Sequence, residues 1–121
     1  MRILLTAVPA AALLLSGCGG GAVAEFGAVS LEARAAEARP VLKQAFTLQE
    51  AYRARNDRYA ATFRELEEVG WEDPQGMRQY QLPRIVRAEG EALCMEMEPT
   101  RPDLWPQHVD QTGVVQRGRC P

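Results

Sequence analysis

Three cysteines, one histidine and two loose groups of ligand-type side chains are the residues of this sequence with chemical potential. His108 is the sole histidine, and no neighbouring Ser or free nucleophilic Cys completes a triad with it. Cys94, Met95 and Met97 are soft ligands of the kind that suits Cu(I). In a strand, however, Cys94 and Met95 point to opposite faces and cannot share one ion. Asp103 and Asp110 offer carboxylates to calcium, which takes six to eight oxygens. Their spacing follows no loop pattern that supplies the rest. No paired catalytic groups stand out, so the chain reads as a non-enzyme that needs no metal and no cofactor. Trp105 stands apart: an indole between Pro102 and Pro106 is either a contact anchor for a partner or a cover over a sheet edge. With 14 basic against 16 acidic side chains, the chain lacks the footprint of a nucleic-acid binder. Its 121 residues allow one domain.

The elements that must position these residues follow from periodicity. From Ser30, which can cap a helix, Leu31, Ala35, Ala38, Leu42, Ala45 and Phe46 recur at three- and four-residue steps. Pro40 lies inside this run. It removes a backbone donor and crowds the preceding turn, so a kink is expected near it. Asn56-Asp57 should end the helix. Thr62-Phe63-Arg64-Glu65 has the form of a capping box for a second short helix, with Gly70 as its stop and Trp71 folding back into the core. Beyond Asp73-Pro74-Gln75-Gly76 the period changes to two. Gln79 to Leu82, extended by Ile85-Val86, reads as one strand, with Pro83 marking an edge or a bulge. Glu89-Gly90 is a turn. Leu93, Met95 and Met97 then alternate with Cys94, Glu96 and Glu98, implying one buried and one wet face. Pro99 to Pro106 is a loop, and Gln111-Thr112-Gly113 joins a last hairpin. The sum is an α+β fold: a long N-terminal helix, kinked near Pro40, packed on an antiparallel sheet of about four strands.

The N-terminus reads as an address. Arg2 precedes an apolar run from Ile3 to Leu15, too short for the roughly 20 residues that span a bilayer. Leu15-Ser16-Gly17-Cys18 then resembles the lipobox of bacterial lipoproteins, followed by a Gly19-Gly20-Gly21 spacer. The resemblance implies removal of residues 1–17 as a signal peptide, a diacylglycerol thioether on Cys18 and fatty acylation of the new amine. Several acyl chains anchor a protein durably. The alternative is an ordinary signal peptide with Cys18 an incidental thiol. Residues 18–29 would form the lipidated start and spacer, and 30–121 the globular domain. Gly19, rather than Asp, after the lipidated Cys implies the outer membrane, facing the periplasm, if the host is diderm. With Cys18 lipidated, Cys94 and Cys120 remain as an even pair in an exported chain. A disulfide between them would close a loop of about 26 residues, worth ~3.5 kcal/mol on the chain-entropy account. Two free thiols are the alternative.

Leu48-Gln49-Glu50-Ala51-Tyr52-Arg53-Ala54-Arg55-Asn56-Asp57-Arg58-Tyr59-Ala60-Ala61 resembles the end of the long helix in type IV pilins and type II secretion pseudopilins. The segment Phe63 to Gly70, the hairpin Asp110-Gln111-Thr112-Gly113-Val114 and a C-terminal cysteine pair are similar in kind to the pilin head. The likeness runs from Leu31 to Cys120. It implies a long helix packed on an antiparallel meander and a role in assemblies of the envelope. The chain departs from that family at the stalk. Ala45-Phe46-Thr47-Leu48-Gln49-Glu50 is similar to the start of a mature pilin, yet Arg53, Arg55, Asp57 and Arg58 follow, and such charges oppose insertion into a bilayer. A lipid takes the place of the membrane stalk.

The sequence thus implies a lipid-anchored cell-envelope protein with a pilin-like interaction domain, bound to the membrane through Cys18 and to a protein partner in the envelope. Trp105 is the candidate contact. A small periplasmic solute- or metal-binding lipoprotein, with the Pro99–Pro106 loop as its lid, is the alternative.

Overall fold

The computed structural model describes residues 31–121. The segments expected to be a signal peptide, a lipobox with Cys18 and a glycine spacer, and the expected cap Ser30, lie outside the described residues.

Residues 31–35 are helical, a turn occupies 36–37, and the helix α1 runs Ala38–Asn56. The interruption falls one turn before Pro40, where the physics puts it. Pro40 has no N–H to give the Ala36 carbonyl, so the ladder loses its rung there. Glu37 N–H reaches Arg34 O instead, at 3.3 Å. Glu37 keeps helical dihedrals (φ −59°, ψ −37°), so the chain continues as a helix through the interruption. The Glu37 carboxylate accepts the backbone N–H groups of Arg78, at 2.7 Å, and of Gln79. That ties the middle loop to the interruption.

One face of the helix is buried: Ala35, Ala38, Leu42, Ala45, Leu48 and Tyr52. Small residues in the first half let the helix lie close to the sheet. α1 stops at Asp57, which adopts the left-handed conformation (φ 60°) and returns its N–H to Arg53 O at 2.8 Å. After the corner, Thr62 caps the single turn α2 (Phe63–Leu66), its hydroxyl accepting Glu65 N–H at 3.2 Å. A 3₁₀ turn over Glu67–Val69 and Gly70, at φ 107°, finish the segment. Trp71 then folds inward, its ring centroid 4.7 Å from that of Phe63.

Four strands form one antiparallel sheet in the order of the chain: β1 (Arg84–Glu89), β2 (Ala92–Met97), β3 (Gln107–Asp110) and β4 (Val115–Arg117). Met95 lies opposite Ile85 on one side and Val109 on the other. With Leu93 and Met97 these residues meet α1, and each fully buried one contributes roughly 1.5–3 kcal/mol. The register slips between Ile85 and Arg87, a bulge on the edge strand β1. The expected strand over Gln79–Leu82 shrinks to one bridge between Tyr80 and Pro99. Pro83 carries no N–H to continue a ladder, so pairing restarts only at Arg84. The expected wet face of β2 is also corrected. Cys94 and Glu96 are as buried as Met95 and Met97, because the C-terminal residues lie across that face. Among the described residues, no helix is long and apolar enough to cross a membrane.

Candidate functional site

Three places gather the side chains singled out above. The first is the corner between α1 and α2, formed by residues 48–66. Gln49 is the one polar side chain on the buried stripe and is fully buried. Its Nε2 donates to Ala60 O at 2.9 Å and its Oε1 accepts Ala60 N–H at 2.8 Å. The side-chain amide thus pairs with a backbone residue as a neighbouring strand would, and satisfies a buried stretch of chain that has left all regular structure. Tyr52 donates its phenol to Glu65 Oε2 at 2.6 Å. The same oxygen takes Arg58 at 2.6 Å, and Oε1 takes Ala61 N–H at 3.0 Å. These bonds, Arg58 first, then Tyr52 and Ala61, hold the Glu65 carboxyl down to about 2. The bond to that carboxylate, followed by burial, pushes the Tyr52 phenol up. Tyr59 is likewise buried, with Arg53 4.6 Å above its ring. These polar groups bond to one another across the corner and fix the path of the chain from α1 to α2.

The second place is the outer face of the sheet. Cys94 and Cys120 are joined, with sulfurs 2.00 Å apart and Cα atoms 6.0 Å apart. The bridge draws the last residues over β2 and β3. Cys120 N–H donates to Glu96 Oε2 at 2.9 Å, and the Glu96 Oε1 receives Arg84. Burial pushes the Glu96 carboxyl up, but Cys120 N–H and Arg84 together outweigh it, and the net direction is down. Arg119 forms a fork with Glu98, at 2.7 and 2.8 Å. His108 Nδ1 lies 2.8 Å from Gly118 O. The sole histidine therefore serves as a clasp for the tail, and the Cys94 sulfur, held in a disulfide, is no copper ligand.

The third place is Trp105. Its ring is half-buried against the core and capped by the Arg117 guanidinium, 3.4 Å from the ring centroid. Tyr80 donates its phenol to Trp105 O at 2.8 Å, and Gln107 Nε2 reaches both Tyr80 Oη, at 2.9 Å, and Ala35 O, at 2.7 Å. Burial pushes the Tyr80 phenol up. A shallow groove of about 160 Å³ lies between Trp105 and residues Glu32, Ala35, Ala36 and Arg39. The loop before Trp105 is fastened: Thr100 N–H donates to Gln79 O at 2.9 Å, Thr100 Oγ1 to Arg78 O at 2.8 Å, and Leu104 is buried. Asp103 gives both carboxylate oxygens to Arg101, at 2.7 and 2.6 Å, which holds its carboxyl low. Asp110 takes the Thr112 hydroxyl and N–H, which lower its carboxyl too. Among the described residues, no group of three or more His, Cys, Asp or Glu side chains could hold a metal ion.

Sequence reasoning located Cys94, Cys120 and Trp105; it gave Glu65 only a capping role, assigned Gln49 no internal partner, put Glu96 on a wet face and did not single out Gln107. Gln49 carried a signal, since a lone amide on an apolar stripe must find an internal partner. Glu96 carried none, because its burial depends on a tail 24 residues further along. Comparison of this chain with protein-family models, with curated proteins and with solved structures finds no match.

Proposed function

We propose that this chain is a lipid-anchored cell-envelope protein whose head, pilin-like in plan, is a non-catalytic interaction domain serving a pilus, secretion or other envelope assembly. The observation that carries the reading is the ordered set of Arg2, the apolar run, Leu15-Ser16-Gly17-Cys18 and the glycine spacer. A long helix laid on a four-stranded antiparallel meander supports the second half of the reading. So does the corner, where Gln49, Tyr52, Tyr59 and Ala60 are used together as one joint. The disulfide suits an oxidising compartment outside the cytoplasm. In a diderm host the head faces the periplasm from the outer membrane. Trp105, with its adjoining groove, is the contact proposed from the sequence. Fractionation of cells producing the Cys18→Ala chain tests the anchor. Loss of membrane retention and of palmitate incorporation is expected, and retention with undiminished labelling overturns the reading.

A further inference from the structure

β1 is an edge of the sheet: β2 pairs with one side of it, and among the described residues no strand pairs with the other. Large apolar side chains are left in solvent here, Val86 at the centre of the strand and Leu82 just before it, each about half exposed. An unpaired edge offers its backbone N–H and carbonyl groups to another strand.

The bulge decides which strand fits. Arg84 lies opposite Glu96 and Ile85 opposite Met95, yet Cys94 lies opposite Arg87, so Val86 is the extra residue. In a regular strand, residues five apart point to opposite faces. The extra residue brings Arg84 and Glu89 onto the outer face together. Ile85 and Ala88, opposite Met95 and Leu93, share the face toward α1. Laid antiparallel to a copy of itself, Arg84-Ile85-Val86-Arg87-Ala88-Glu89 then matches in one register. Arg84 meets Glu89 of the second copy, Ile85 meets Ala88, and the two bulges meet at the centre. Opposite charges face each other at both ends, and every pair shares a face, as antiparallel partners must. A shift of one residue fails in either direction. One sets Ile85, on the inner face, against Arg87, on the outer; the other sets Arg87 against Arg87. Glu89 is exposed and makes no hydrogen bond or ion pair among the described residues. Arg84 spends Nε and one terminal nitrogen on Glu96 and is still 64% exposed. A strand without the bulge loses its pairing at Val86, so the irregularity that guards this edge against other strands admits an identical one.

We infer that β1 is a docking surface for a second copy of this chain: the two join edge to edge across a twofold axis, Arg84 on Glu89 at each end, and their sheets become one. Residue pairs that exchange in this way are what such an axis requires. The inference goes beyond the interaction-domain reading and depends neither on the lipid nor on Trp105. Two six-residue strands fall short of the roughly 1,600 Å² of a standard interface, so the dimer is a weak one.

The test is NMR of the purified full chain in detergent micelles, with micelles in excess over protein so that chance sharing is rare. Dilution from about 1 mM to about 10 μM should shift the amides of residues 84–89 and leave β4, the other edge, and Trp105 unmoved. In a mixture of isotope-labelled and unlabelled chains, Overhauser contacts between copies should join Ile85 to Ala88. Glu89→Lys changes an exposed side chain with no bond of its own. It should weaken association about tenfold while leaving the urea midpoint of the single chain unchanged. Val86→Lys, which sets like charges across the axis, should act in the same direction. A chain that stays monomeric at the highest concentration, shifts centred on Val115–Arg117, or association that Glu89→Lys leaves intact, as clustering through the lipid would be, would each overturn the inference. A lipidated chain that stays monomeric loses this surface and keeps the anchor. A chain that pairs through β1 but carries no lipid loses the anchor and keeps the surface.

Discussion

Replacing Gln49 by Leu keeps the volume and shape of a fully buried side chain and deletes both bonds to Ala60. Ala60 is itself fully buried, so its N–H and its carbonyl lose their partners without gaining water. Each orphaned group costs about 1–3 kcal/mol, which makes the expected loss about 4 kcal/mol for the pair. A domain of this size holds about 5–15 kcal/mol in all, so the variant should fold, with a much lower midpoint. Urea unfolding followed by Trp71 and Trp105 fluorescence reads the change, with the slope of the transition unaltered. Gln49→Glu adds a second test with a sign. A carboxylate there would be buried against Ala60 O, so its folded pKa must rise above the unfolded value. The folded state then binds more protons than the unfolded one. Stability should climb as pH falls from that raised pKa toward the ordinary carboxylate range. A Gln49→Leu loss below about 1 kcal/mol would refute the claim that this amide holds the corner.

Removing the bridge as Cys94→Ala with Cys120→Ala should cost about 3.5 kcal/mol for the loop it closes, and thiol titration of the native unreduced chain should find neither cysteine reactive. Gly113 sits at φ 79°, and a Cβ there would lie 2.6 Å from the Phe46 ring, so Gly113→Ala should cost about 2 kcal/mol in the same urea assay. Gly90→Ala, at φ 57° with open space around it, should cost only about 1 kcal/mol. Glu65 is held at about 2 against an ordinary 4.5, so its contribution is complete above about pH 4.5 and is lost as pH falls toward about 2. Glu65→Gln should flatten the acid-unfolding curve across that window.

Much of this arrangement is legible in the sequence because it is local. The buried stripe from Ala35 to Tyr52 follows from three- and four-residue spacing, the α2 cap from Thr62 and Glu65, and the helix stop from Asn56-Asp57. What escaped is long-range. Glu96 alternates like a wet residue, and only the disulfide, by drawing Cys120 over it, makes it a buried carboxylate. Trp105 was legible as a residue of interest but not as one capped by Arg117, 12 positions away on another strand. Nor does spacing show that Tyr52 donates to Glu65, since it is the α2 cap that brings that carboxylate back over the end of α1.

The mass of the chain recovered from membranes bears most directly on how the head is held. A product beginning at Cys18 and heavier than its peptide by a diacylglycerol and a fatty acyl group is the expected result. A soluble product of peptide mass alone, with an unmodified Cys18, would contradict it.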